Sequence, residues 1–135
     1  MHLLVINNDN LLLYLRQNTG FGDGMYSVIS GHVDGNESVT TAMIREAKEE
    51  AGIDIKRADL EITYVMHRKT PNQEVIDYFM KVTKWQNKIQ NLEPTKCKEL
   101  KFFNINDLPD NMIPYVKVAI EHSLQGIKFS EFGWD

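Results

Sequence analysis

Residues 31–53 read Gly31-His32-Val33-Asp34-Gly35-Asn36-Glu37-Ser38-Val39-Thr40-Thr41-Ala42-Met43-Ile44-Arg45-Glu46-Ala47-Lys48-Glu49-Glu50-Ala51-Gly52-Ile53. After the Asp34-Gly35 turn signal, Ser38 to Ala51 carries helix formers with no glycine or proline, and Gly52 stands where a helix C′ residue belongs. On a helical wheel with Glu46 at zero, Glu49 and Glu50 fall at about 300° and about 40°, so three carboxylates share an arc about 100° wide. Thr40, Met43, Ile44, Ala47 and Ala51 occupy the arc from about 60° to about 160°. The acidic face therefore borders the core face, and Lys48 points away from it.

Glu46 and Glu50 are like charges four residues apart, with Glu49 beside them. Such a pair costs about a few tenths of a kcal/mol on an exposed helix and more where water is partly excluded. Arg45, four residues before Glu49, neutralises part of this repulsion. A hard divalent cation is the stronger candidate, because clustered oxygen ligands suit Mg2+, which also accepts waters and substrate phosphates. An Arg-Glu-x-x-Glu-Glu run by itself is more often a solvated helix face, so the wider spacing has to decide.

Outward from this stretch, Leu3 to Ile6 and Leu11 to Leu15 flank the turn signal Asn7-Asn8-Asp9-Asn10 and read as a hairpin. Asn18 to Gly24 is a glycine-rich loop, and Met25 to Ser30 a strand stopped by Gly31. Strands are expected at about 61–66, 76–84 and 100–103, and Pro114 opens a last helix running to about Leu124. Two helices among strands of mixed spacing predict an α+β fold, an αβα sandwich in place of regular βαβ winding.

The chain's 135 residues fit a single domain over 1–135. A net charge of −4 with no lysine- or arginine-rich run argues against long nucleic acid as partner. No stretch approaches the roughly 20 apolar residues that span a bilayer. The opening run Met1 to Ile6 is too short for a signal peptide, and the single cysteine, Cys97, agrees with a reducing compartment. A cytoplasmic protein with no membrane partner is the expectation.

The spacing Gly31, five residues, Glu37, seven residues, Arg45-Glu46-Ala47, one residue, Glu49-Glu50, one residue, Gly52-Ile53 resembles the Nudix box at every defined position. Asn18–Gly24, Gly31-His32-Val33, Glu93–Leu100, Pro114-Tyr115-Val116 and Ser130–Trp134 resemble a bacterial MutT-like Nudix subgroup, and together these segments spread over nearly the whole chain. One departure stands out: Val28-Ile29-Ser30 replaces the proline and small residue that many Nudix proteins carry before the box glycine. The resemblance implies the Nudix fold, an αβα sandwich with a mixed β-sheet, and the box as its strand-loop-helix element. It implies that Glu46, Glu49 and Glu50 bind metal together with the Gly31 carbonyl. Arg45 then orients the carboxylates, and Glu37, with Gly52 a structural residue of the motif, fixes the loop by pairing with Arg45.

The chemistry implied is metal-assisted attack of water on phosphorus, in which cations neutralise phosphate charge, orient the chain and lower the pKa of bound water. Mg2+ is the expected cofactor, with Mn2+ able to substitute. The expected substrate is a (deoxy)nucleoside triphosphate or related nucleoside diphosphate derivative, acted on by a monomer or homodimer. The rival readings are a nucleotide-sugar or ADP-ribose hydrolase and a non-catalytic nucleotide-sensing module; the second would be expected to have lost box carboxylates. Outside the box, Glu99, in a segment that also offers Glu93, is the expected auxiliary base or metal ligand. Arg16 is a candidate phosphate contact, and Phe21, Tyr26 and Trp85 are candidate stacking surfaces for a base. His67 and Arg68, ending a strand, read either as a phosphate-facing pair or as solvated charge. Trp134 reads as packing on the domain.

Overall fold

The apolar runs at the start of the chain pair as expected. In the computed structural model, which describes residues 1–135, β1 (His2–Asn7) and β2 (Asn10–Arg16) form an antiparallel hairpin. Asn8 turns the chain at φ 56°, a left-handed conformation asparagine tolerates. The single strand expected over 25–30 is instead two short ones, β3 (Tyr26–Ser27) and β4 (Ile29–Ser30). β3 pairs with β2 and β4 with β1, so the ladder breaks at Val28, where the chain changes partner.

Helix α1 (Val39–Ala51) is capped by Ser38, whose Oγ accepts from the Thr41 N–H, and ends at Gly52. Then follow β5 (Glu61–Lys69), β6 (Glu74–Val82), β7 (Cys97–Asn104) and α2 (Pro114–Leu124), each overlapping its expected range. β8 (Phe129–Phe132), which the sequence reading did not anticipate, runs parallel to β5. The strand order is β3-β2-β1-β6-β5-β8, with β4 against β1 and β7 against β2. The β1–β6 and β5–β8 ladders are parallel and the others antiparallel, which makes the sheet mixed.

Successive residues of a strand face opposite sides, and β1 shows what this does. Leu3 and Val5 join Met43, Ala47, Ala51 and Met80 beneath α1, while Leu4 joins Tyr64, Phe79, Val116 and Ile120 beneath α2. One helix covers each face of the sheet, the αβα sandwich anticipated. Each large apolar side chain buried this way contributes about 1.5–3 kcal/mol relative to exposure. No helix is long and apolar enough to cross a membrane.

After β8 the chain closes against the end of β5. The Trp134 indole N–H donates to the His67 carbonyl at 3.1 Å, and the Lys69 ammonium lies 5.0 Å from the indole ring. Gly133 makes this possible: its φ is 85°, and a Cβ there would lie 2.2 Å from the Lys69 carbonyl oxygen. Gly133→Ala is expected to lower unfolding stability by about 1–3 kcal/mol in urea titration. Gly35→Ala, where an added Cβ meets nothing within 4 Å, is expected to stay within about 0.5 kcal/mol of the parent. Equal effects of the two substitutions would contradict the packing of this strap.

Candidate active site

Strand β4 delivers Gly31 against the side of α1. A Cβ at position 31 would lie 2.3 Å from the Glu46 carboxyl carbon, so glycine leaves this carboxylate room where it stands and a larger residue would displace it. One turn further along α1, Glu50 accepts a hydrogen bond from the Ser30 N–H at 3.1 Å and is only 8% exposed. Glu49 stands at the rim with its side chain 55% exposed. The carboxylates that the wheel placed on one arc thus divide into two held at the sheet end and one facing water.

Arg45 ties the loop to the helix. Its Nη2 donates to Glu37 Oε1 at 2.7 Å and its Nε to Glu37 Oε2 at 3.2 Å. Nη1 donates to Glu46 Oε1 at 2.9 Å and reaches Glu49 Oε2 at 3.4 Å. Glu37 also accepts from the Asp34 N–H at 2.8 Å, which closes the loop on itself. The hydrogen bonds from Arg45 hold the Glu37 carboxyl below the usual carboxylate range. Burial pushes Glu46 the other way, against the pull of Arg45. Glu50 is pushed up to about 9, by burial first and then by the charges of Glu46 and Glu93.

Glu93, half-buried, is the acid outside the box whose charge bears on both Glu46 and Glu50. Its turn is joined to α1 by the Leu92 N–H, which donates to the Glu50 carbonyl at 3.2 Å. Glu99, the residue preferred on sequence, is engaged elsewhere. It accepts from the Tyr26 hydroxyl at 3.1 Å and pairs with Lys101 at 3.3 Å. Of the two acids in this segment, the geometry favours Glu93.

As the side chains stand, no three of them converge closely enough to chelate an ion, and Arg45 is paired with Glu46 and Glu49. The donor set nevertheless suits a hard divalent cation: three carboxylates and a backbone carbonyl, all oxygen, and more negative charge than one guanidinium cancels. The Gly31 carbonyl already accepts from the Met1 α-amino group at 2.9 Å. A carbonyl oxygen has a second lone pair to offer.

A cavity of about 670 Å³ opens beside this junction, bounded by Ser30 and Gly31 on the box side. Arg16 and Phe21, two of the expected substrate contacts, line it. The Arg16 Nε donates to the Phe21 carbonyl at 2.8 Å, and its guanidinium lies 5.7 Å from the Phe21 ring. Tyr26 and Trp85 are not brought there. Tyr26 is spent on Glu99 and packs edge-on to Phe103 at 5.0 Å. Trp85 packs against the core under α1 and stacks with Phe102 at 6.5 Å. Cys97 is buried, and burial pushes its thiol up to about 11, as a structural cysteine's would be.

Another wall of the cavity holds a group of which the sequence had marked only Arg68 as a candidate contact. His2, Arg68, Asp77 and Tyr115 line it from β1, β5, β6 and α2. Arg68 is not simply a solvated charge: its Nε donates to the buried Asp77 at 2.6 Å. A signal was available in β6, where Asp77 shares its inward phase with Phe79, and a charge in that phase demands a partner.

Comparison with known proteins adds the family context. A family model described as the NUDIX domain matches residues 1–122. An ADP-ribose pyrophosphatase of Methanocaldococcus jannaschii is 28% identical over 120 residues, covering 87% of this chain and 64% of that protein. The NAD-capped RNA hydrolase NudC of Shigella flexneri is 29% identical over 108 residues, 79% of this chain and 39% of its own length. The chain thus spans less than two thirds of these curated relatives. A crystal structure of a MutT NUDIX hydrolase from Burkholderia pseudomallei superposes with a TM-score of 0.80 at 23% identity, over 89% of this chain and 92% of the other, and shows the same fold.

The Asp77 group carries a pH signature. Burial by itself would raise the Asp77 carboxyl, but hydrogen bonds from His2 and Arg68 outweigh it and hold the group down to about 2. A depressed carboxylate stabilises the fold above its unfolded value of about 4 and loses that contribution as the pH falls toward the folded value. Asp77→Asn, which leaves Arg68 without its counter-charge, is expected to cost about 3–5 kcal/mol at neutral pH. In denaturant titrations the gap between the two proteins should narrow as the pH falls from about 4 to about 2. A gap that stays constant over that window would contradict the ion pair.

Proposed function

The chain belongs to the Nudix family, and on that premise we propose that it is a nucleotide pyrophosphohydrolase. Its substrate in this reading is a (deoxy)nucleoside triphosphate, cleaved to the monophosphate and diphosphate. The observation that carries the proposal is the placing of Glu46 close beside Gly31 and of Glu50 on the Ser30 N–H, at the edge of a cavity of nucleotide size. Glu46, Glu49, Glu50 and the Gly31 carbonyl would hold a divalent cation, Mg2+ with Mn2+ as its substitute, which neutralises phosphate charge and lowers the pKa of bound water.

The chain's own residues do the rest. Arg45 and Glu37 orient the carboxylates, so that little reorganisation is left for the moment of reaction. Arg16, a guanidinium with no carboxylate within ion-pair distance in the cavity, binds a phosphate, and Phe21 offers an exposed ring to a base. Glu93 is the candidate auxiliary acid in place of Glu99. In this reading residues 1–135 act as one domain, in the cytoplasm and on a small nucleotide, with long nucleic acid and membrane playing no part, as a monomer or homodimer.

A second reading, hydrolysis of ADP-ribose, is favoured by the name of the Methanocaldococcus relative. The triphosphate is preferred because one cavity of about 670 Å³ and one unpaired guanidinium suit a single nucleoside with its phosphates.

Activity should vanish in EDTA, return with Mg2+ or Mn2+, and fall by orders of magnitude in Glu49→Gln and Glu50→Gln. Hydrolysis in ¹⁸O-water, read by mass spectrometry, should place the label so as to show cleavage between the α and β phosphates. Full activity in metal-free protein would overturn the mechanism. A higher kcat/KM for ADP-ribose than for every triphosphate would decide for the second reading. The metal should also raise the melting temperature of the parent more than that of Glu50→Gln, since a ligand bound to the native state stabilises it.

A further inference from the structure

One wall of the cavity has a chemistry that hydrolysis does not use. Asp77 is only 3% exposed, and both of its oxygens are engaged. His2 Nε2 lies 3.1 Å from Oδ1, while Arg68 donates to Oδ2 from Nε at 2.6 Å and to Oδ1 from Nη2 at 3.3 Å. The Arg68 guanidinium lies over the Tyr115 ring, 3.9 Å from its centroid, and His2 stacks on Phe79 at 4.4 Å. Both polar planes are therefore fixed by what packs on them before any ligand arrives.

Charge decides what such a wall can read. Asp77 and Arg68 cancel, and His2 is neutral with its Nε2 proton on the carboxylate. A phosphate here would meet a guanidinium already paired and a carboxylate of its own sign. A neutral hydrogen-bonding group would not. Of the five N–H groups of an arginine, two of Arg68 go to Asp77, which leaves the outer edge of the guanidinium as a planar set of donors. His2 Nδ1 is shut off from the cavity and has no partner, so His2 acts here only by holding Asp77. A ligand edge that presents a carbonyl answers the free Arg68 donors, as O6 of guanine and O4 of uracil or thymine do. Adenine and cytosine carry an amino group where the carbonyl would be, which sets donor against donor at Arg68.

We propose that Arg68, with Asp77 and His2 as its positioning residues, determines specificity by reading the carbonyl edge of a nucleobase, and that the cavity favours guanine and uracil nucleotides over those of adenine and cytosine. The inference rests on the reading of the cavity as a nucleotide site. It is independent of whether the nucleotide is cleaved.

The test uses ligands with no diphosphate bond to hydrolyse. The full chain is titrated by NMR, without metal, with the 5′-monophosphates of guanosine, uridine, adenosine and cytidine and with ribose 5-phosphate. The first two should bind about tenfold or more tighter than the next two, the value of a good contact to a base edge. Arg68→Lys keeps the charge opposite Asp77 and loses the planar fork. It should bring the four nucleotides close to one affinity and leave ribose 5-phosphate unchanged. Equal affinities in the parent overturn the proposal. So does a parallel loss of ribose 5-phosphate binding in Arg68→Lys, which would make Arg68 a phosphate ligand. If monophosphates bind too weakly to measure while triphosphates are hydrolysed, the same preference must appear in KM across the four triphosphates, and equal values overturn it. A preference among monophosphates with no hydrolysis of any triphosphate would sink the hydrolytic reading and leave this one standing. Failure of every nucleotide to bind or react removes both.

Discussion

The contact on which the site depends is the approach of the Glu46 carboxylate to the backbone of Gly31, where a Cβ would come within 2.3 Å of the carboxyl carbon. On the next turn of α1 the Glu50 carboxylate accepts from the Ser30 N–H, a bond that ties the helix to the end of β4. The two contacts hold two like charges side by side where water is partly excluded, an arrangement that costs stability. Burial raises both Glu46 and Glu50, which is the cost expressed as an acidity. The fold tolerates it because the same helix buries Met43, Ala47 and Ala51 in the core beneath. Arg45 draws Glu37, Glu46 and Glu49 toward one guanidinium. A loop and a helix turn that would otherwise repel are thereby held as one unit.

The cavity beside this unit divides its positive charge in two. Arg16 spends its Nε on the Phe21 carbonyl and has no carboxylate partner in the cavity, so its charge is available to an anion. Arg68 is balanced by a buried carboxylate and offers directional donors with little net charge. A molecule with an anionic end and a neutral, hydrogen-bonding end is the natural match to such a division. The closing strap of β8 and Trp134 lies against the end of β5, the strand that carries Arg68. The precision of that wall is thus tied to residues far from the box.

What could be read from the sequence follows the range of the interactions. Helix α1 was legible nearly to the residue because its limits are written locally, in the Ser38 cap and in Gly52. The shared arc of Glu46, Glu49 and Glu50 was legible for the same reason, whereas the Glu37–Arg45 pairing followed only from the resemblance to the Nudix box. The break at Val28 and the strand β8 were not, because both are decided by which strand lies alongside. Phe129–Phe132 has no pattern that marks it as β until β5 is there to pair with it. Tyr26 and Trp85 were misjudged as free aromatic faces because their partners, Glu99, Phe103 and Phe102, come from a strand that only the sheet brings near. The same holds for Glu93 against Glu99, and for the His2–Asp77 contact, which joins residues 75 apart.

The central claim is that Glu46, Glu49, Glu50 and the Gly31 carbonyl are gathered to hold a divalent cation. Amide NMR signals recorded as substoichiometric Mn2+ is added to the full chain test this most directly, because paramagnetic broadening marks the position of the ion without any need for turnover. The expected result is broadening centred on Ser30, Gly31 and the helical turn 46–50, and its loss in Glu46→Gln. Broadening centred on other acids, or none at concentrations that saturate exposed carboxylates, would contradict the claim.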